Sequence, residues 1–473
     1  MIHALLVVSL AAQATPPTAR LDPAALAREH ESHRFVTAQA PCLTPEMVSA
    51  EIDRLSVRHP GHVKTEVIGT SFGGKNIRLV SIGEGPKSIL LWSQMHGDEP
   101  SATPAVLDLI DYLARESARP EIAKILATFT LRIIPMLNPD GAALYERRNL
   151  QGIDINRDAL MLTTPEGVLL KSIRDRFSPV LGFNLHDQGR RITVGETGVL
   201  SSISLLAVSG DAEGTLTPGR LRAKRVASEI VGALSPMIPG GIARYDEDWN
   251  PRAFGDNVTA WGTPVVLIES GGFPKGGGFG ELTRLNFVAL VKVLEGLSIN
   301  DLEDASPEVY DRLLRNKSEA YADVAIAGVS ILEPRTGKWF RADVAFDVLA
   351  SDQTVAGCAA TPRTGSRVVE VGDSRVVSPA RKVSGLEMAL APLSRDRGLK
   401  AGEVTREALL ATRPSVSPSL TDPQTLLREL RLAPSGISRG GSANFVLWVK
   451  NRTGEGGRYF AVVDGVGFPA SFD

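Results

Sequence analysis

Apolar positions recur along the first part of the chain in two rhythms. Between residues 47 and 57 they return every three or four positions, the spacing of an amphipathic helix. Short apolar runs at 63–68, 75–82 and 87–92, divided by glycine-rich turns, read instead as strands. A helix at 101–115 and a strand at 131–136 continue the alternation, and the runs at 181–185 and 265–269 predict two more strands. The helical period is strongest at 281–297, where Leu282, Leu285, Val288, Ala289, Val291 and Val293 are among the apolar positions. Strands alternating with helices predict an α/β domain over 46–299. Beyond it the texture changes. A charged helix at about 306–318 precedes runs at 322–332, 339–349 and 445–449, which predict a smaller, β-rich accessory domain over 300–473. Residues 15–45, rich in Pro, Ala and Thr, read as a poorly ordered leader.

Length agrees with this division, since 473 residues are too many for one ordinary core. A formal net charge of −2 gives no polyanion-binding signature, which excludes nucleic acid as the expected partner. No apolar run is long enough to span a bilayer. The N-terminus reads as a signal peptide over 1–14. Ala4-Leu5-Leu6-Val7-Val8-Ser9-Leu10-Ala11-Ala12 is a short apolar core, and Ala12-Gln13-Ala14 supplies the small residues of a cleavage site. It carries no Lys or Arg. A periplasmic or secreted location is therefore the expectation. Cys42 and Cys358 are the only cysteines, and the sequence does not say whether they pair.

The chemistry concentrates at strand ends. His96 and Glu99 form a His-x-x-Glu pair in Ser93-Gln94-Met95-His96-Gly97-Asp98-Glu99-Pro100, on the turn from an apolar strand into a helix. Three-residue spacing on a turn lets an imidazole and a carboxylate converge. Zinc accepts both, and a hydrolytic zinc needs one more protein ligand and an open position. His186 ends another apolar strand, at the edge where open α/β sheets bind ligands. His59 and His62 flank Pro60-Gly61 and read as a surface turn. Glu269 follows four apolar residues, where a carboxylate is costly without work or a partner. Its functional reading is a general base for the attacking water. Between these lie Asn138-Pro139-Asp140-Gly141, then Arg147-Arg148-Asn149, then Gly152-Ile153-Asp154-Ile155-Asn156-Arg157-Asp158. One arginine can stabilise an oxyanion, and a second suits a substrate carboxylate. The glycine-rich stretch 271–280 fits no phosphate-binding spacing and reads as a loop beside a site.

Taken in order, His96-x-x-Glu99, Asn138-Pro139-Asp140-Gly141, Arg147, Asn156-Arg157, His186 and Glu269 resemble the zinc carboxypeptidase family of the carboxypeptidase A type, over about residues 45–297. The whole looks most like exported bacterial members with a C-terminal extension. The resemblance implies a mixed-sheet, phosphorylase/hydrolase-like α/β domain and one zinc per chain held by His96, Glu99 and His186. It implies Glu269 as general base and Arg147 as the carbonyl-polarising group, with Arg148 as the fallback. It also implies Asn156 and Arg157 as the readers of a substrate's terminal carboxylate. By spacing alone Tyr245 matches the family's substrate-capping tyrosine. Asp187-Gln188 departs from the small-then-aromatic pair usual after the third ligand.

The first expectation is a zinc metallopeptidase that removes one C-terminal residue from a peptide. A second is an amidase or deacylase acting on peptidoglycan stem peptides or N-acyl amino acids with the same centre. A third is a non-catalytic binding module, against which the intact ligands and Glu269 count. Asp246, Glu247, Asp248 and Asp256 lie where such a family builds its specificity pocket. One of them pointing inward would favour a basic or zwitterionic residue, whereas a solvated acidic loop would not.

Overall fold

The computed structural model describes residues 20–35, 43–245, 249–273, 278–303, 305–318, 321–333, 335–347, 368–372, 378–384, 388–392, 437, 445–450, 457–463 and 466–470. The chain enters through α1 (Pro23–His33) and α2 (Pro45–Arg58), then forms β1 (Val63–Thr70), β2 (Asn76–Ile82) and β3 (Lys87–Ser93). Next come α3 (Ala102–Arg115), α4 (Pro120–Thr128), β4 (Phe129–Ile134) and α5 (Pro139–Leu144). After a short 3-10 turn (Ile155–Arg157) follow α6 (Pro165–Phe177), β5 (Leu181–Asp187), β6 (Thr193–Val194) and β7 (Ile203–Ala207). The series α7 (Pro218–Leu234), β8 (Ile242–Arg244), α8 (Phe254–Ala260), β9 (Val265–Ser270) and α9 (Phe279–Ser298) completes the main layers. The exit runs through α10 (Glu308–Asp311) and β10 (Asn316–Lys317).

The strands form one mixed eight-stranded sheet in the order β1-β2-β4-β3-β5-β9-β7-β8. Its centre is parallel: β3 pairs with β4 and β5, and β5 with β9. These strands are buried on both faces, which is why they read as continuous apolar runs rather than as alternation. One face packs against α1, α3, α4, α7 and α9 around Leu91, Phe183, Ile268 and Phe287. The other carries a separate cluster with Trp92, Ile155, Phe254 and Leu267. Helix starts follow local chemistry. Thr44, Thr164 and Thr217 each cap a helix whose next residue is proline, accepting from the third backbone N–H.

The second sheet comprises β11 (Tyr321–Glu333), β12 (Lys338–Phe346), β13 (Val368–Gly372), β14 (Ser378–Ser384), β15 (Met388–Pro392), β16 (Phe445–Lys450), β17 (Gly457–Val463) and β18 (Val466–Ala470). Their order is β13-β12-β11-β15-β16-β17-β18, with β14 also on β11. The expected α/β domain followed by a β-rich region is therefore the architecture. No helix among the described residues is long and apolar enough to cross a membrane.

Three details differ from the sequence reading. Residues 15–45 include α1, whose Leu26 and His30 are buried against the core, so this part is not a loose leader. The first unit does not stop near 299, because Leu302 and Tyr310 belong to its core and β10 pairs with β6. The charged helix expected at 306–318 is the single turn α10, followed by β10. Cys42, Cys358, the segment 1–14 and Asp246, Glu247 and Asp248 lie outside the described residues.

Candidate metal centre

The parallel strands β3, β5 and β9 deliver their C-terminal ends to one edge of the sheet. His96 and Glu99 sit on the turn after β3. That turn is held in a demanding shape: Gln94 has φ +49°, a left-handed conformation costly for a side-chain-bearing residue. The Gln94 amide holds it there, donating to the Gly97 carbonyl at 3.0 Å and accepting from Thr103 Oγ1 at 2.9 Å. Gly97 lies directly against the α5 backbone, and a Cβ there would stand 2.0 Å from the Gly141 carbonyl carbon. The Asn138 side chain caps α5 through the Gly141 N–H at 2.9 Å, so Asn138-Pro139-Asp140-Gly141 fixes the floor beneath the His96 turn.

His96, Glu99 and His186 converge, with ligand atoms all within 4.8 Å of one another and all three residues buried. Glu99 lies between the imidazoles, 2.8 Å from His96 Nδ1 and 2.7 Å from His186 Nδ1. The other side of the His96 ring is held by Asp154, 3.1 Å from Nε2. Asp154 thereby leaves Nδ1 directed at Glu99, an arrangement that fixes the orientation of a metal-ligating histidine. Two imidazole nitrogens and a carboxylate are a donor set that suits zinc. The residues present therefore fit the ion.

Electrostatics agree with that donor set. Burial pushes the Glu99 carboxyl up, but the adjacent imidazoles outweigh it and hold the group well below the usual carboxylate range. Burial also works against a charged His96, yet Glu99 and Asp154 together raise its pKa. His186 has Glu99 but no second carboxylate contact among the described residues, and burial lowers its pKa. Asp154 is likewise depressed, its burial outweighed by the hydrogen bond and charge of His96 and by Arg147. Asp187 is pushed up to about 7 by burial and by the nearby Glu99, and it accepts from Ser101 N at 3.0 Å and Ser101 Oγ at 2.8 Å.

Arg147 joins the cluster. Its Nη1 donates to Glu99 at 2.9 Å and its Nε to Asp154 at 3.1 Å. Arg148 turns away and donates to the Gly152 carbonyl at 3.1 Å from an exposed position. Glu269 is buried on β9, in register with His186 on one side and Ser204 of β7 on the other, so the three side chains share one face of the sheet. Asn156 uses its amide oxygen to accept from the Phe254 N–H at 2.8 Å, which leaves its NH2 as the donor. Arg157 donates to the Asn156 carbonyl at 2.8 Å and contributes to the field at Asp154. Tyr245 follows β8, packed against the Trp92–Phe254 cluster and beside a cavity shared with Arg244, Trp249 and Asp256. Asp256 is buried and accepts from the Asn250 N–H at 2.9 Å. His59 pairs with Asp111 at 2.9 Å, and His62 meets Ser117, so this turn lies apart from the cluster.

Asp154 had no assigned role in the sequence reading. The available signal was its place two residues before Asn156, but Asp158 was equally acidic and equally near. Asp158 instead accepts four hydrogen bonds from Thr163 and Thr164.

Residues 48–164 match the family model described as zinc carboxypeptidase. Over 108 residues the chain is 31% identical to the probable carboxypeptidase 2 of Trichophyton verrucosum, which covers 22% of this chain and 20% of that one. It is also 31% identical over 108 residues to the carboxypeptidase M of Mus musculus, covering 19% and 24%. The chain thus spans about a fifth of the length of the curated relatives it matches. Among solved structures, a metallo-carboxypeptidase from Burkholderia cenocepacia is similar at 17% identity and a TM-score of 0.44, covering 55% of this chain and 70% of that one.

Proposed function

We propose that this chain, a member of the zinc carboxypeptidase family over residues 48–164, hydrolyses the C-terminal peptide bond of peptides at the His96–Glu99–His186 centre. The observation that carries the proposal is the convergence of those three buried side chains with Glu269 in register beside His186. One zinc bound there would supply Lewis acidity, polarising the scissile carbonyl and making water a stronger acid. The rest of the chemistry belongs to the protein. Glu269 takes the proton from the attacking water and passes it to the amine that leaves as the C–N bond breaks. Arg147 meets the developing oxyanion, a reading supported by its ion pairs with Glu99 and Asp154 in the same cluster. Asn156 and Arg157 are the donors for the terminal carboxylate, and Tyr245 is the substrate-capping side chain. Arg148 has no part in this reading.

The test is a substrate panel for the zinc-loaded protein: peptides with free and with amidated C-termini, an N-acyl amino acid and a muropeptide. A carboxypeptidase cleaves the free C-terminus and spares the amidated one, and Arg157→Ala erases that preference. Cleavage of only the N-acyl amino acid or the muropeptide would replace peptidase by amidase. An exported location, periplasmic or secreted, belongs to the same proposal and rests on the apolar segment before Ala14. Amino-terminal sequencing of the processed protein checks it.

A further inference from the structure

His186 is followed by Asp187 and Gln188, and Gln188 is the hub of a polar network that reaches β10, the last strand before the β-rich domain. Its backbone N–H donates to the Ser270 carbonyl at 2.7 Å, so the residue stays beside β9 after β5 has ended. Its side-chain NH2 donates to Ser204 Oγ at 2.9 Å and to Ser201 O and Oγ at 3.2 Å each. The two serine hydroxyls stand 2.8 Å apart and are fully buried. The Gln188 carbonyl oxygen accepts from Asn316 Nδ2 at 2.8 Å, and Asn316 opens β10, the passage into the β-rich domain. Gly271 is pressed onto this group: a Cβ there would fall 2.1 Å from the Ser201 carbonyl oxygen and 2.7 Å from Gln188 Nε2.

The same stretch is held at two further places, one on β10 and one on the β-rich domain itself. Thr193 and Val194 pair with Lys317 and Asn316. Arg191 makes an ion pair with Asp323 on β11 and lies 3.2 Å from Asp347, which is buried. The segment leaving the His186 strand is therefore anchored to the β-rich domain, and its first anchor is a side chain that binds Ser204. Ser204 is the register partner of Glu269.

We propose that Asn316 is a positioning residue for the centre: through Gln188 it fixes Ser204, and with it the strand edge against which Glu269 stands. This rests on the reading of Glu269 given above. Gln188 has the length, the donors and the acceptor to bridge β7 to β10. A single hydroxyl, as on tyrosine, has one donor and could not hold both Ser201 and Ser204 as the amide does.

The experiment uses the full chain with zinc bound. Asn316→Ala, Gln188→Ala and the double variant are compared with wild type, and Lys317→Ala, which removes only the surface pair with Glu196, is the control. Each single variant is expected to lower kcat about three- to tenfold, the scale of one lost hydrogen bond, with KM changed by less than about twofold and zinc content unaltered. Gln188→Ala also removes the bonds to Ser201 and Ser204, so the double variant should match Gln188→Ala alone, since Asn316 acts only through Gln188. Should Asn316→Ala fail to fold, Asn316→Asp keeps the size and removes the donor. Amide exchange of residues 201–206 is measured in parallel and should quicken in Asn316→Ala. A wild-type kcat, multiplicative singles or unaltered exchange would each overturn the inference. A wild-type protein with full zinc and no turnover of any panel substrate, but with quickened exchange in the variant, would leave the coupling standing and sink the peptidase reading instead.

Discussion

Replacing Asp154 with asparagine tests whether the carboxylate behind His96 matters as the geometry says. The Oδ1 atom serves His96 Nε2 at 3.1 Å and the Asn156 N–H at 2.9 Å, and Oδ2 serves Arg147 Nε at 3.1 Å. Asparagine has the same size but one acceptor oxygen. With that oxygen towards His96 and Asn156, its NH2 faces the Arg147 donor. Flipped, the NH2 faces His96. One charge-assisted hydrogen bond is lost either way, worth about 1.5–3 kcal/mol. The side chain is 12% exposed, so solvent restores little of it. At about 1.4 kcal/mol per tenfold, zinc affinity should weaken on the order of ten- to a hundredfold, which is the range found when partners of metal-ligating histidines are removed. A competition titration against a chromophoric chelator reads the affinity, and turnover at saturating zinc reads what Arg147 has lost. Zinc affinity within about threefold of wild type in a folded Asp154→Asn protein would refute the orienting role.

Other outcomes follow from the same geometry. Glu269→Gln should keep its zinc and lose about a hundred- to ten-thousandfold in kcat, the usual scale of general acid–base assistance, and a near-normal kcat would place the base elsewhere. Arg147→Ala should cost about 2.7–4 kcal/mol of transition-state stabilisation with the free-carboxylate preference intact, whereas Arg148→Ala, which breaks only an exposed contact to Gly152, should be nearly silent; equal losses would contradict the assignment. Gly97→Ala should lower thermal stability by about 1–3 kcal/mol, because its methyl would collide with the Gly141 backbone, and an unchanged melting temperature would show that the turn yields more easily than its packing implies.

Much of this was readable in the residues. The strands β3, β5 and β9 are apolar because both faces are covered, and each ends in a polar residue at the same sheet edge. His96, Glu99, His186 and Glu269 therefore stand out without coordinates. Helices α6 and α7 were harder to see. In α6 only Glu166, Gly167, Leu170 and Ile173 are buried, too few to give a clear stripe among its charges. In α7 four basic residues interrupt the apolar period before Val226. Arg147 ranks ahead of Arg148 by the family resemblance alone, since which of two adjacent identical side chains faces the cluster depends on where a short loop turns. The role of Gln188 was invisible for a related reason. Its partners at 201, 204 and 316 are far away in sequence, and only the fold brings them together.

The beginning of the described chain bears on how much of this protein can be removed. Leu21 gives its N–H to Glu295 and its carbonyl to Lys292, each at 2.6 Å, and both of those side chains are buried in α9. Asp108, buried in α3, holds His30 at 2.8 Å and the Phe35 N–H at 2.7 Å. A protein trimmed to begin at α2 would strip those partners from three buried charges and take Leu21 and Leu26 out of the core. Lys292 and Glu295 keep each other, but each buried polar atom left without its hydrogen bond costs about 1–3 kcal/mol, against a typical domain stability of about 5–15 kcal/mol. Any protease that matures this protein must therefore stop before Arg20, and a shortened recombinant form that follows the family match from residue 48 would discard part of what keeps the α/β core folded.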